Sequence, residues 1–131
     1  MSAVKLYTAN TPNGRKVGIA AKELGIDYEF NLVDFKTKQQ KEAWFVDKVN
    51  PNGKIPAIVD PAGPNGKEVR VFESGAILQY LAEKTGKLLP SESKYEAIAW
   101  VYLVNTGLAP NLGTTVGGGG AECTKLCDSS S

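Results

Sequence analysis

The sequence predicts an α/β fold in which helices cover a four-stranded mixed sheet. Two observations support this class. Strand-like and helical patterns follow one another in the order βαβ, short helix, β-hairpin, helix, and clusters of turn residues separate them. A strand-helix-strand unit crosses over in the right-handed sense and makes its two strands parallel, whereas a short connection between the last two strands favours an antiparallel pair.

Local signals predict the bounds of each element. Apolar residues at helical spacing predict a helix over 14–24, with Gly25 as its C′ residue. Ser74 is predicted to be the N-cap of a later helix over 74–83. The other predicted elements are strands over 4–7, 28–33, 55–59 and 69–72, a short helix over 41–46 and a last helix over 95–104.

Changes in composition predict the domain organisation. The α/β domain is expected over 1–87, and the start of a helical domain over 88–113. A Gly- and Ser-rich tail over 114–131 is expected to be disordered. Both cysteines, Cys123 and Cys127, lie in this tail with C-x-x-x-C spacing, and we expect free thiols there, because redox motifs have C-x-x-C spacing.

The composition also excludes several classes of function. Fifteen basic and 14 acidic residues leave a formal charge of +1, and no run of one sign is long enough to follow a phosphate backbone, so no nucleic-acid partner is expected. No apolar segment approaches the roughly 20 residues that span a bilayer, so no membrane partner is expected. The start of the chain lacks the pattern of a secretory signal, which predicts a cytoplasmic protein. Histidine is absent, which excludes Ser-His-Asp and Cys-His catalysis and the usual zinc sites, and no metal is expected.

Three short segments could carry chemistry, and the predicted topology brings them to one end of the sheet. The first is Thr-Pro-Asn-Gly-Arg-Lys at 11–16, where a helix begins. Unpaired backbone N–H groups and the helix dipole favour an anionic sulfur or oxygen there, and Asn13 and Thr11 could donate hydrogen bonds to it. An ordinary loop with a polar cap is the alternative.

The second segment runs from the Asn-Pro-Asn-Gly turn at 50–53 into a strand that contains Pro56. A cis Ile55–Pro56 bond would turn the N–H and C=O groups of Ile55 outward, where a peptide-like ligand could pair with them. A trans proline on an edge strand is the alternative, since only about 5% of X-Pro bonds in folded proteins are cis.

The third segment is Phe-Glu-Ser-Gly-Ala at 72–76, where a strand ends and a helix begins. The Ser74 hydroxyl and the helix N–H groups suit a carboxylate, and Glu73 suits an ammonium. An α-amino acid head group carries both charges. A serine that only caps the helix is the alternative.

Together, Thr-Pro-Asn-Gly, Asn-Pro-Asn-Gly-Lys-Ile-Pro-Ala-Ile-Val-Asp and Glu-Ser-Gly-Ala-Ile-Leu, in this order, resemble the N-terminal domain of glutathione transferases. The resemblance covers about residues 4–113 and is strongest to the branch that contains the fungal prion-related nitrogen regulator and the bacterial Nu-class enzymes. It implies a thioredoxin-like domain followed by the first helix of an all-α domain. Since that domain should continue well past Gly113, the resemblance also implies a truncated helical domain.

The resemblance implies two sets of site residues. In the catalytic set, Asn13 donates to the sulfur of glutathione and favours its thiolate, with Thr11 as a helper. Tyr7 is the competing catalytic candidate and ranks lower, because it lies inside a short apolar run.

The implied binding set holds the rest of glutathione. Ile55 pairs with the cysteinyl backbone beside cis Pro56, and Lys54 reaches the glycyl carboxylate. Glu73 and Ser74 hold the γ-glutamyl end.

The function implied is that of a transferase that binds glutathione as its co-substrate and activates the thiol toward a small electrophile or a disulfide. A non-catalytic, regulatory or vestigial glutathione-binding module is the alternative, because the helical domain that forms most of the second pocket is expected to be cut short. A homodimer, or association with a full-length relative, is also expected, because the helix that carries Trp100 would expose apolar side chains.

Overall fold

Within its first 92 residues the chain forms a four-stranded mixed sheet with its helices in the structure, a computed structural model that describes residues 3–111 of the chain. The sheet order is β2-β1-β3-β4. β1 pairs with β2 in parallel, and the β1–β3 and β3–β4 pairs are antiparallel. The predicted fold class is therefore confirmed. The strands are β1 (Val4–Thr8), β2 (Tyr28–Leu32), β3 (Ala57–Asp60) and β4 (Val69–Phe72).

Four α-helices accompany these strands in the described part of the chain, and short 3₁₀ turns occupy 39–41, 64–66 and 91–93. The predicted helix over 41–46 is shifted, because a 3₁₀ turn precedes it and the α-helix itself begins two residues later. The helices are α1 (Pro12–Glu23), α2 (Ala43–Lys48), α3 (Ser74–Thr85) and α4 (Lys94–Leu103).

Helix α1 has clear signals at both ends. Thr11 is its N-cap, and the Thr11 side chain accepts a hydrogen bond from the N–H of Gly14 at 3.1 Å. Pro12 occupies the first helical position, where its missing N–H costs nothing. The helix therefore starts two residues before the predicted Gly14. At the other end, Gly25 has a φ of 68° and its N–H bonds to the C=O of Lys22, so the predicted C′ role of Gly25 is confirmed.

Two predicted boundaries were wrong for backbone reasons. Ser74 is the first residue of α3 and not its N-cap, and the cap position belongs to Glu73. Strand β3 begins at Ala57 and not at Ile55, since Pro56 has no N–H to donate to a ladder.

The chain divides into two compact units, the first ending at Glu92 and the second beginning at Ser93. In the second unit, α4 continues into a π-helical segment, Val104–Leu108. No helix within residues 3–111 is long and apolar enough to cross a membrane. The predicted tail over 114–131, with Cys123 and Cys127, lies outside the described residues, and the predicted domain bounds stay predictions.

Side chains on the two faces of the sheet pack into separate clusters, as the alternation of a strand requires. In β1, Leu6 lies in one cluster and the adjacent Tyr7 contacts the other. The first cluster, which joins the sheet to α1 and α3, comprises Val4, Leu6, Val17, Leu24, Ile58, Ile77 and Leu81. The second, which involves α2, comprises Val33, Phe45, Val49 and Ala57.

A buried carboxylate ties β3 to α3 at the end of β3. Asp60 accepts hydrogen bonds from the Tyr80 hydroxyl at 2.7 Å and from the Ala62 N–H at 2.9 Å, and it forms an ion pair with Lys84 at 2.5 Å. Burial raises the pKa of Asp60, but the hydrogen bonds from Lys84, Tyr80 and the Ala62 N–H, together with the positive charge of Lys84, outweigh burial and hold this pKa below its usual value. Burial and the bond to Asp60 raise the pKa of Tyr80.

We expect the free energy of unfolding to fall at both extremes of pH. The pKa of Asp60 is lowered by folding, so its contribution is complete above the ordinary carboxyl pKa of about 3.9 and is lost as the pH falls below it. The pKa of Tyr80 is raised by folding, so its contribution is complete below about pH 10 and is lost as the pH rises further. Urea unfolding across this range measures both losses.

Asp60→Asn is the matched control for this pH dependence. It removes the charge that holds Lys84 and Tyr80, and it should lower the unfolding free energy at neutral pH by about 2 kcal/mol. The acid loss should shrink in this variant. If Asp60→Asn lost as much unfolding free energy at low pH as the wild-type chain does, Asp60 would not be the cause of that loss.

Candidate functional site

All three segments singled out in the sequence lie at the same end of the sheet, where β1 and β4 end and β3 begins, and the strand register shows this directly. Tyr7 in β1 is opposite Ala57 in β3, and Ala57 is opposite Phe72 in β4. β4 ends at this row, β1 ends one residue beyond it at Thr8, and β3 begins there. The loop after β1, the residues before β3 and the Glu73–Ser74 pair after β4 are therefore neighbours.

The distance across the ends of β1, β3 and β4 suits a short extended peptide. Neighbouring strands lie about 4.8 Å apart, so the distance from β1 across β3 to β4 is about 10 Å. Three extended residues span about the same distance. A tripeptide bound at these three strand ends would therefore be within reach of groups at the start of α1, before β3 and at the start of α3.

The loop between β1 and α1 is closed by a backbone contact that only glycine allows. A Cβ atom added to Gly14 would lie 2.3 Å from the Ala9 carbonyl oxygen and 2.4 Å from Thr8 Oγ1. The N–H of Thr11 also bonds to the Ala9 oxygen, at 2.7 Å. These contacts fix the position of the first turn of α1 relative to the end of β1.

The first turn of α1 presents an amide beside positive charge. Asn13 is exposed, and its Oδ1 accepts a hydrogen bond from Lys16 Nζ at 3.0 Å, so the Nδ2 end of the amide is the donor. Arg15 Nε donates to Asn10 Oδ1 at 2.8 Å. This turn contains no acidic residue, although acidic residues favour a helix N-terminus. The helix dipole and the two cations therefore favour an external anion at this point.

Tyr7, the competing catalytic candidate, is half-buried and packs against two aromatic rings. Its ring meets Phe45 edge-on, with centroids 6.1 Å apart, and lies 6.2 Å from the ring of Trp44. Trp44 Nε1 in turn donates to Glu42 at 2.6 Å. The ring of Tyr7 is thus held by aromatic contacts, and its ranking below Asn13 stays a prediction.

The segment Lys54-Ile55-Pro56 directly precedes β3 and has the backbone expected of a strand on which a peptide could dock. It is called the docking strand below. The Ile55–Pro56 bond is cis, as predicted. Pro56 is buried, and Ile55 packs against the cluster around Phe45. The Lys54 side chain is exposed, while its C=O accepts a hydrogen bond from the buried Asn50 amide at 2.8 Å. The backbone is thus anchored, and the Lys54 ammonium faces solvent.

Two residues that the sequence did not single out lie beside this docking strand. A Cβ atom added to Gly53, whose φ is 60°, would lie 2.9 Å from the Gln40 carbonyl oxygen and 3.1 Å from Lys41 Nζ. Gln40 Oε1 is buried without a hydrogen-bond partner within residues 3–111. Sequence reasoning put Lys41 at the start of a helix, and it offered no signal for Gln40, because the contact with Gly53 joins distant parts of the chain.

The segment after β4 contains an unusual backbone conformation. Glu73 has a φ of 73° and a ψ of 121°, which costs a residue other than glycine about 1 to 3 kcal/mol. Its C=O accepts the first helical bond, from the Ile77 N–H at 2.9 Å. Its side chain is exposed, and the next residue, Ser74, is buried at the N-terminus of α3. Strain of this kind concentrates at ligand-binding sites.

These groups form a linear arrangement along this end of the sheet. An anion-favouring helix start lies at one end, an anchored strand with lysines lies in the middle, and a carboxylate beside a helix N-terminus lies at the other end. Such an arrangement can bind a zwitterionic peptide and lower the pKa of a thiol placed near Asn13. No group of three potential metal ligands occurs in the described part of the chain.

Comparison with known proteins identifies the family. The family model "Glutathione S-transferase, N-terminal domain" matches residues 2–83. The disulfide-bond oxidoreductase YfcG of Escherichia coli is 43% identical over 113 residues, which cover 84% of this chain and 52% of that protein. Protein URE2 of Candida glabrata is 37% identical over 112 residues, which cover 79% of this chain and 30% of that protein. The chain thus spans about half, or less, of the length of these relatives.

A solved structure matches the fold closely. A glutathione transferase from Pseudomonas putida, with one glutathione disulfide bound per subunit, superposes with a TM-score of 0.79 at 44% identity. The match covers 82% of this chain and 47% of that one. The resemblance inferred from the three segments is therefore confirmed at the level of family and fold.

Replacing Gly14 tests the closed loop. In Gly14→Ala the new methyl group meets the Ala9 carbonyl oxygen, so the first turn of α1 must shift, and we expect a loss of about 1 to 3 kcal/mol in unfolding free energy. Gly18→Ala in the same helix is the control, because its Cβ meets nothing within 4 Å. That variant should gain about 0.5 to 1 kcal/mol. Equal effects of the two variants on urea unfolding would contradict a constrained loop.

Proposed function

The chain belongs to the glutathione S-transferase family, and we propose that it binds glutathione across the ends of β1, β3 and β4 and stabilises the thiolate for attack on a small electrophile or a disulfide. The observation that carries the proposal is the register Tyr7–Ala57–Phe72, which brings the three segments to one edge. The glutathione disulfide bound to the Pseudomonas putida relative and the oxidoreductase name of YfcG support the disulfide branch of the proposal.

In the proposed complex the docking strand pairs with the cysteinyl residue. The N–H and C=O of Ile55 bond to the ligand backbone, as an added strand would. The exposed ammonium of Lys54 binds the glycyl carboxylate, and Lys41, held beside Gly53, adds a second positive charge in the same region. At the far end, Glu73 accepts from the γ-glutamyl ammonium, while Ser74 and the N–H groups of α3 donate to its carboxylate.

The proposed catalytic service is to lower the pKa of the thiol. A thiol with a pKa of about 8.5 is only a few per cent ionised at neutral pH. Asn13 Nδ2 donates to the sulfur, and the positive N-terminus of α1 favours the charged form. Thr11 is suited to assist, because its oxygen accepts from the Gly14 N–H and its hydroxyl hydrogen can donate to the sulfur. The cytoplasm, where thiols are kept reduced, suits this chemistry.

A pair of assays on the purified chain tests the proposal. Calorimetric titration measures glutathione binding, and turnover is followed with an aryl halide and with a small mixed disulfide. Binding with turnover of either substrate supports a transferase or reductase. Binding without turnover would assign the chain to the non-catalytic regulatory or vestigial class, and the absence of binding would overturn the proposed site.

Variants at the γ-glutamyl end should weaken binding. Glu73→Gln removes the charge that meets the ammonium, and Ser74→Ala removes the donor to the carboxylate. Each bond to a charged group is worth about 1.5 to 3 kcal/mol, or roughly a 10- to 150-fold rise in the dissociation constant. Circular dichroism should show an unchanged fold in both variants. Wild-type affinity in both would move the γ-glutamyl subsite elsewhere.

Replacing Asn13 should separate binding from activation. Asn13→Ala leaves the docking strand and the γ-glutamyl end intact, so glutathione affinity at low pH should change little. The pKa of the bound thiol should rise, which is measured by the ultraviolet absorbance of the thiolate against pH. Tyr7→Phe is the control and should leave this pKa unchanged. The opposite result would make Tyr7 the catalytic residue.

We also propose that the second unit takes part in self-association or in binding a full-length relative. Helix α4 and the segment after it expose a set of large apolar side chains, and Trp100→Glu should raise the monomeric fraction in sedimentation velocity. A wild-type chain that stays monomeric at micromolar concentration would contradict this surface. The exposed side chains are Tyr95, Trp100, Tyr102, Leu103, Val104 and Leu108.

A further inference from the structure

The outer edge of β2 is an apolar strand edge with no neighbour in the described part of the chain. β2 is terminal in the sheet order and pairs only with β1. Phe30 is 56% exposed and Leu32 is 66% exposed, although Phe30 lies beside the fully buried Leu6 in the same register row. Two large apolar side chains are therefore exposed along the unpaired edge strand β2.

The hydrogen bonds that flank the β1–β2 ladder show which backbone groups of β2 point away from β1. The Val4 N–H bonds to the Asp27 carbonyl at 3.0 Å, and the Val33 N–H bonds to the Thr8 carbonyl at 2.8 Å. In a parallel ladder every second residue of a strand directs its backbone N–H and C=O groups toward the neighbouring strand. The odd-numbered residues of β2, Glu29 and Asn31, thus face β1, and the N–H and C=O groups of residues 28, 30 and 32 point away from it.

We propose that this edge pairs with β2 of a second copy of the chain, antiparallel and about a two-fold axis at Phe30. Only residues 28, 30 and 32 offer outward-facing backbone groups, and a two-fold axis brings all of them into use only when it passes through Phe30. Phe30 then exchanges two hydrogen bonds with Phe30 of the second copy. Tyr28 exchanges two with Leu32 on either side of the axis, which completes six bonds.

The side chains of β2 are complementary to themselves in this register. Tyr28 is opposite Leu32, and Phe30 is opposite Phe30, which are the aromatic–aliphatic and aromatic–aromatic pairs that stabilise antiparallel strands. Glu29, the one charged residue of β2, is opposite the neutral amide of Asn31 and not opposite itself. A strand with Glu29 on the axis would place two like charges face to face.

Strand β2 also lacks the features that usually protect an edge. Lysine, proline and inward-pointing charges discourage edge-to-edge pairing. The sequence of β2 is Tyr-Glu-Phe-Asn-Leu, which contains neither lysine nor proline. Its one charged residue, Glu29, lies on the opposite face of the strand from Phe30. The opposite edge differs, since β4 carries Arg70, whose guanidinium donates to the Asp47 carbonyl oxygen. The apolar content and the free backbone groups coincide on β2.

A position-specific disulfide tests the pairing. In a chain with Cys123→Ser and Cys127→Ser, Phe30→Cys introduces the only thiol. Opposite Cα atoms in a hydrogen-bonded antiparallel pair lie about 5.5 Å apart, which is within the range of a disulfide. Mild oxidation should therefore yield a covalent dimer. Leu32→Cys in the same background is the matched control, because its two copies lie about 14 Å apart and should not cross-link.

A mixture completes the test of register. Tyr28→Cys chains mixed with Leu32→Cys chains should cross-link to each other, while neither should cross-link to itself. Cross-linking of Leu32→Cys to itself at the rate of Phe30→Cys, or no cross-linking of Phe30→Cys, would overturn the proposal.

Sedimentation separates this edge from the α4 surface. In a Trp100→Glu background, Phe30→Lys should raise the dimer dissociation constant at least about tenfold, or about 1.4 kcal/mol. Ile19→Lys is the control, because Ile19 is 62% exposed on α1 and outside β2. A Trp100→Glu chain that remains monomeric at all concentrations, or equal effects of the two lysines, would overturn the β2 dimer. Glutathione titration of the wild-type chain tests the proposed function independently of association, and the affinity should be the same in Phe30→Lys.

Discussion

The pairing of β3 with both β1 and β4 is the constraint on which the rest of the structure depends. All four residues of β3 are buried, and its hydrogen bonds fix Tyr7, Ala57 and Phe72 in one row. The fold core and the candidate site use the same strand. Ile58 packs against the helices on one face, and Ala57 joins the Phe45 cluster on the other. The residues just before Ala57 form the proposed docking strand. A slip of β3 by one residue would exchange its two faces and displace the site.

Much of this arrangement follows from local chemistry, which is why the sequence predicts it. Gly25 can take a positive φ and ends α1, as predicted. The start of α1 was predicted two residues too late, although Pro12 suits a first helical position. The strand order follows from a right-handed crossover and a hairpin. The errors lie where backbone conformation overrides residue preference. Glu73 has a positive φ that its residue type does not favour, so the cap position could not be assigned from Ser74 alone.

Other features escaped the sequence because they join residues far apart in the chain. Asp60 and Lys84 are 24 residues apart and form the ion pair that ties β3 to α3. Gln40 and Lys41 lie beside Gly53 only because the 3₁₀ turn at 39–41 folds against the 50–53 turn. No periodicity or cap motif reports such contacts. In contrast, each segment of the proposed site is continuous in sequence, so these segments could be proposed from the sequence alone.

The sheet also determines how binding and association relate to each other. The proposed glutathione site uses the ends of β1, β3 and β4, where backbone groups leave the ladder. The proposed dimer uses the side of β2, where backbone groups face outward along the whole strand. Since β2 contributes no residue to the site and the site strands contribute none to the β2 edge, the two events draw on different hydrogen-bonding groups. A ligand that contacts the monomer and the dimer equally cannot shift the equilibrium between them. Dimerisation through β2 would therefore leave the affinity for glutathione unchanged, because the proposed site and the proposed interface share only the framework of the sheet.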